Sequence, residues 1–105
     1  MPIVNIEYSR DKIKNEDLKD LHLEIQELLV NATNMKDVIV SVNSPEKMYG
    51  DDGVEIFIRL SEVKDLDALL QTCTQELKYW KQRTNFQHKI NLTIIPMDWK
   101  IKAGI

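Results

Sequence analysis

VEIFIRLSEVKDLDALLQTCTQELKYW, residues 54–80, changes its hydrophobic period once, and that change separates a strand from a helix. Val54, Ile56, Ile58 and Leu60 alternate with Glu55, Phe57 and Arg59, as in a strand with one buried face. Asp65 is a suitable helix cap. After it, Leu66, Leu69, Leu70, Cys73, Leu77 and Trp80 fall at helical spacing. Ile90, Leu92 and Ile94, with Asn91 and Thr93 between them, predict a second strand. The polar, basic stretch from Lys81 to Lys89 is expected to connect the two. The unit is strand, helix, strand.

The same plan occupies the first half of the chain. Val4, Ile6 and Tyr8 alternate with Asn5 and Glu7 over Pro2–Tyr8. Leu18, Leu21, Ile25, Leu28, Leu29 and Ala32 then keep helical spacing. Asn15 is the expected N-cap, Glu16, Asp17 and Asp20 lie in the first turns, and Asn31 and Asn34 mark the exit. From Asp37 to Asn43 the alternation returns, with Val38, Val40 and Val42 expected inward. Val54 follows Val4 by 50 positions and Ile90 follows Val38 by 52, so the plan is duplicated even though few letters are. Pro45 and Tyr49–Gly53 supply loop chemistry between the halves. We therefore expect one domain, 1–105, with pseudo-repeats at about 1–50 and 51–105. After Pro96, MDWKIKAGI is expected to form a short strand at Lys100–Lys102 or a tail that docks elsewhere.

Two strand–helix–strand units close as parallel crossovers and predict an α/β (α+β) fold. In it a four-stranded mixed sheet carries both helices on one face. The other face would show Asn5, Glu7, Ser41, Asn43, Glu55, Phe57, Arg59, Asn91 and Thr93, together with Ile3, Ile39 and Ile95. That mixture is too polar for a monomer core and too apolar to stay fully wet, so a homo-oligomer is expected. A ferredoxin-like sheet shares the same element order. Strand adjacency separates the two readings.

Composition narrows the function. Hydrophobic residues make up 43% and charged residues 30%, values that suit a globular chain. A net charge of −3, with both signs interleaved, offers no basic face for nucleic acid. Cys73 is the only cysteine, which rules out an internal disulfide and a cysteine-based metal site and points to the cytoplasm. No run is long enough for a membrane span. His22 and His88 have no companion ligands in the sequence, so no metal is expected.

The chain opens Met1–Pro2–Ile3. A small second residue generally permits removal of the initiator methionine, which would leave Pro2 a free secondary amine. An α-amino group titrates near 7.7–8.0, and burial or nearby cations lower that value. Such a base can move protons beside a carbonyl. Proline also suits the first position of a strand for purely structural reasons.

Met-Pro-Ile at the head of a strand, two βαβ units on one sheet, and VIVSVNSPEKMYGDDG between them together resemble the tautomerase superfamily. Its members include 5-carboxymethyl-2-hydroxymuconate isomerase and macrophage migration inhibitory factor. The resemblance implies proton transfer in a small enol or 2-hydroxydienoate carboxylate, with Pro2 as the base. It implies no cofactor and a homotrimer. Cations that bind the carboxylate would stand between a strand and the following helix, where this chain has Arg10, Lys12 and Lys14 in the first unit and Lys64 in the second; Lys12 and Lys64 are the leading candidates. Arg59 would contact substrate or pair with Glu55 or Glu7 in the oligomer. Tyr49 would line the pocket. Lysine at 64 supplies charge without the bidentate fork of arginine, and Ile39 stands where 4-oxalocrotonate tautomerase carries an arginine. The alternative is an oligomeric module, ferredoxin-like or a degenerate tautomerase-like one, that binds a ligand or partner without catalysis.

Overall fold

A computed structural model describes residues 1–18, 20–45, 53–98 and 100–105. The elements are β1 (Ile3–Glu7), a 3-10 turn (Asn15–Leu18), α1 (Leu21–Thr33), β2 (Ile39–Asn43), β3 (Val54–Leu60), α2 (Leu66–Thr84) and β4 (Ile90–Pro96). The sheet order is β2-β1-β3-β4. β1 pairs in parallel with β2, β3 pairs in parallel with β4, and β1 and β3 run antiparallel at the centre. Each βαβ unit therefore pairs its own two strands. A ferredoxin-like sheet is antiparallel and does not pair the two strands of a unit with each other, so that part of the alternative is overturned.

The register sets residues in rows across the sheet. Ile39, Ile3, Arg59 and Ile95 form one row; Ser41, Asn5, Phe57 and Thr93 another; Asn43, Glu7, Glu55 and Asn91 a third. These belong to the open face. Between them, Val4, Ile6, Val54, Ile56, Ile58 and Leu60 point to the helices and are fully buried. Leu21, Ile25 and Leu29 of α1 and Cys73, Leu77 and Trp80 of α2 complete the core. Burying each large side chain of this set stabilises the fold by roughly 1.5–3 kcal/mol.

Asp65 caps α2 as its sequence suggests, accepting from the Ala68 N–H at 2.9 Å. α1 starts later than expected. Asn15 opens the 3-10 turn, its Oδ1 accepts from the Tyr8 hydroxyl at 3.3 Å, and the N-cap is Asp20 with φ 67 and no side-chain cap bond. Asn34 closes α1 in the left-handed conformation. α2 runs on to Thr84 before Asn85 caps it, so the segment after Lys81 is not wholly a connection. Lys81 and Arg83 are good helix formers on a solvent face and suit the negative end of the dipole. Val38, just ahead of β2, is buried, but Val42 within it is 42% exposed, because β2 is an edge strand whose far end the core does not reach. Lys100–Lys102 form no strand, and Ile101 is exposed.

Gly53 leads into β3 where that strand meets β4. Its Cβ position is filled by the Lys89 carbonyl, which also accepts from the Val54 N–H at 2.8 Å. The obstacle is backbone and cannot swing aside. Gly53→Ala should cost about 1–3 kcal/mol, read as a lower denaturation midpoint with the far-UV spectrum retained.

Candidate functional site

Pro2 stands one residue ahead of β1, a central strand, and its side chain is less than 2% exposed. Its carbonyl accepts from the Ile39 N–H at 3.0 Å, which fixes it to the head of β2. On the other side, Ile3 is the register partner of Arg59, near the end of β3. Strand directions therefore bring four segments to one end of the sheet. These are the start of β1, the start of β2, the end of β3 with the connection to α2, and the end of β4.

Two sequence candidates share that end with Pro2. Lys64 lies in the β3–α2 connection and is exposed. Arg59 belongs to the row next to Pro2 but points to the open face, where its guanidinium lies 5.8 Å from the centre of the Phe57 ring. With the Asn5 amide turned so that its oxygen faces Arg59, that oxygen accepts from Nη1 at 2.7 Å. Lys12 does not join them. Its loop follows the far end of β1, where the Lys12 N–H donates to the Ser9 carbonyl and the Arg10 N–H to Ser44 Oγ. Six residues of extended chain at roughly 3.3 Å each put that loop about 20 Å from Pro2. Tyr49 lies outside the described residues. The structure adds Lys36, an exposed cation three residues before the Ile39 that binds Pro2.

A cavity of about 380 Å³ opens at the same end, lined by Leu60, Val63, Leu66, Pro96 and Met97 with the polar Ser61, Glu62 and Asp98. The Met97 N–H donates to the Leu60 carbonyl at 2.9 Å and ties β4's exit to that of β3. Glu62 has φ 64, a left-handed conformation that a non-glycine residue holds only when its surroundings impose it. Among the described residues, no three His, Cys, Asp or Glu side chains gather to hold a metal. Burial pushes the Cys73 thiol up to about 11, so it stays protonated and unreactive at neutral pH. No helix among the described residues is long and apolar enough to cross a membrane.

No protein-family model and no curated protein matches the sequence. Solved structures do match by shape. Pt0534, solved after inactivation by 2-oxo-3-pentynoate, superposes with a TM-score of 0.70 at 12% identity, over 98% of this chain and 94% of that one. A fused 4-OT, described as a symmetric trimer, gives 0.68 at 9% identity, over 98% and 94%. A 5-carboxymethyl-2-hydroxymuconate delta-isomerase gives 0.65 at 14% identity, over 99% and 89%. The chain shares the fold of these solved structures. Identities this low carry the architecture across and leave the chemistry to be argued from the residues.

Proposed function

We propose that this chain is a tautomerase acting on a small enol carboxylate, with Pro2 as the base. The observation that carries this reading is the position of Pro2. It is a buried proline at the head of a central strand, at the end of the sheet where a cavity opens, and within the segment that initiator-methionine removal would make amino-terminal. Once freed, its nitrogen takes the proton from the enol hydroxyl, and the resulting ammonium returns it to carbon. The reaction is then a net proton shift that consumes nothing. Apolar walls such as Leu60 and Val63 disfavour the ammonium and keep the amine basic near neutral pH.

Lys64 and Lys36 flank Pro2 from the strands on either side of β1 and hold the carboxylate. Lys12, at the far end of its own sheet, reaches a Pro2 only from a neighbouring copy, which agrees with a trimer whose open sheet faces are covered. Lys64→Ala should raise KM about tenfold and leave kcat nearly unchanged, since it removes a charge-assisted contact that ground and transition states share. Steady-state kinetics of processed protein checks this. An equal fall in kcat with KM fixed would place Lys64 in the chemistry instead.

One observation favours a second reading, a degenerate member of this fold that binds without catalysis. The cavity at Pro2's end of the sheet carries the carboxylates of Glu62 and Asp98, and no cation is among its lining residues. Glu62→Gln tests whether this cavity is the binding site, while turnover of enol acids by processed protein separates catalysis from binding alone. The substitution should strengthen carboxylate binding if the cavity receives substrate, and leave it unchanged otherwise.

A further inference from the structure

We propose that Arg59 of one copy pairs with Glu7 of the next across the open sheet face, so that neighbouring faces meet with the basic end of one on the acidic end of the other. This rests on the reading above that a second copy covers that face. The rows of the sheet carry it. Glu7 and Glu55 are direct register partners on the same side, a like-charge pair that a sheet does not favour. Glu55 accepts from Asn91 Nδ2 at 2.8 Å, whereas Glu7 has no ionic or hydrogen-bonded side-chain partner among the described residues. Arg59 stands four residues along β3 from Glu55, about 14 Å at roughly 3.4 Å per residue, too far to serve Glu7 within its own chain. Asn5 and the Phe57 ring hold the guanidinium over the face and leave most of its five N–H donors unused.

The surroundings specify the occupant. Ile3, Ile39, Phe57 and Ile95 share the face with these charges, and Ile39 is 47% exposed in the single chain. Covering such a face removes water from Glu7. A carboxylate taken out of water must meet a cation. Among the described residues of the face rows, Arg59 is the cation, so a second copy brings the group that the first one lacks. Because the two groups lie at opposite ends of the face, the pairing fixes the direction in which one face meets the next.

Light scattering over a dilution series of the full chain tests the pairing. Arg59→Glu should weaken assembly about tenfold or more, the range measured for charge pairs across interfaces, and Glu7→Arg should weaken it likewise. The doubly exchanged chain, Arg59→Glu with Glu7→Arg, should recover most of the loss. Circular dichroism confirms that each variant is folded. If Arg59→Glu does not fold, Arg59→Gln takes its place and should weaken assembly to a smaller degree. Wild-type protein that stays monomeric would overturn both the covered face and the pairing. Wild-type protein that assembles, with variants that assemble as tightly or an exchange that restores nothing, would overturn the pairing alone.

Discussion

Trp80→Ala should lower stability by about 3–5 kcal/mol, the largest single-site loss expected for this chain. Trp80 is 1% exposed and is the largest of the fully buried side chains. It sits on the inward stripe of α2 with Leu69, Cys73 and Leu77, and its ring lies 5.0 Å from that of Phe86 at 50°. Phe86 in turn meets His88 edge-on at 5.3 Å, so the indole anchors the turn that leads from α2 into β4. Removing it opens a void under the sheet and unseats that turn together. At roughly 4 °C or more per kcal/mol for a chain of this size, the melting temperature should fall by more than about 12 °C. Trp80→Phe offers a control. The indole N–H has no acceptor among the described residues, so replacing it with a smaller ring sacrifices volume but no hydrogen bond. Calorimetry should place Trp80→Phe well above Trp80→Ala. Equal losses would mean that aromatic packing on Phe86 contributes little.

The sheet and its two helices are legible in the sequence because the central strands bury one side only. Alternation in Val4–Tyr8 and Val54–Leu60 reports the two faces directly, and the mixed character of the outer one follows by subtraction. The start of α1 is not legible. Leu18 and Leu21 are three apart, a spacing that a 3-10 turn and an α-helix share, so periodicity alone does not reveal the break at Asp20. Val42 misleads for another reason. Alternation states which way a side chain points, not whether anything covers it, and β2 lies at an edge.

Within the candidate site, Pro2 is legible from its residue type and position. The cations are less so. Lys12 follows a strand closely in sequence, yet the loop after β1 is the far end from Pro2 of the same chain. Lys36 carries no sequence signal. Only the parallel pairing of β2 with β1 brings it near, through the bond from Ile39 to the Pro2 carbonyl. Distance along the chain and distance to Pro2 part company wherever a strand intervenes.

Retention of Met1 should abolish catalysis, the largest effect on activity that the proposal entails. With Met1 attached, the Pro2 nitrogen is a tertiary amide whose lone pair is delocalised into the carbonyl. It then accepts no proton at any working pH. General base catalysis of this kind is worth about 10²–10⁴-fold, so a loss of at least a hundredfold is expected with the fold unchanged. Pro2→Ala, once processed, keeps a primary amine in place of the ring nitrogen, and its rate should fall without vanishing. In wild-type processed protein the rate should rise with pH as the amine loses its proton. The midpoint should lie below the 7.7–8.0 of an ordinary α-amino group, because burial disfavours the charged form.

The most direct measurement compares protein with and without Met1, each verified by intact mass and matched in fold and assembly, in the ketonisation of phenylenolpyruvate and several other enol acids. Activity confined to the Met1-free form, rising with pH through a lowered pKa, is the result expected of Pro2 as the base. Equal rates in the two forms, or no activity in the processed one toward any of these acids, would contradict it.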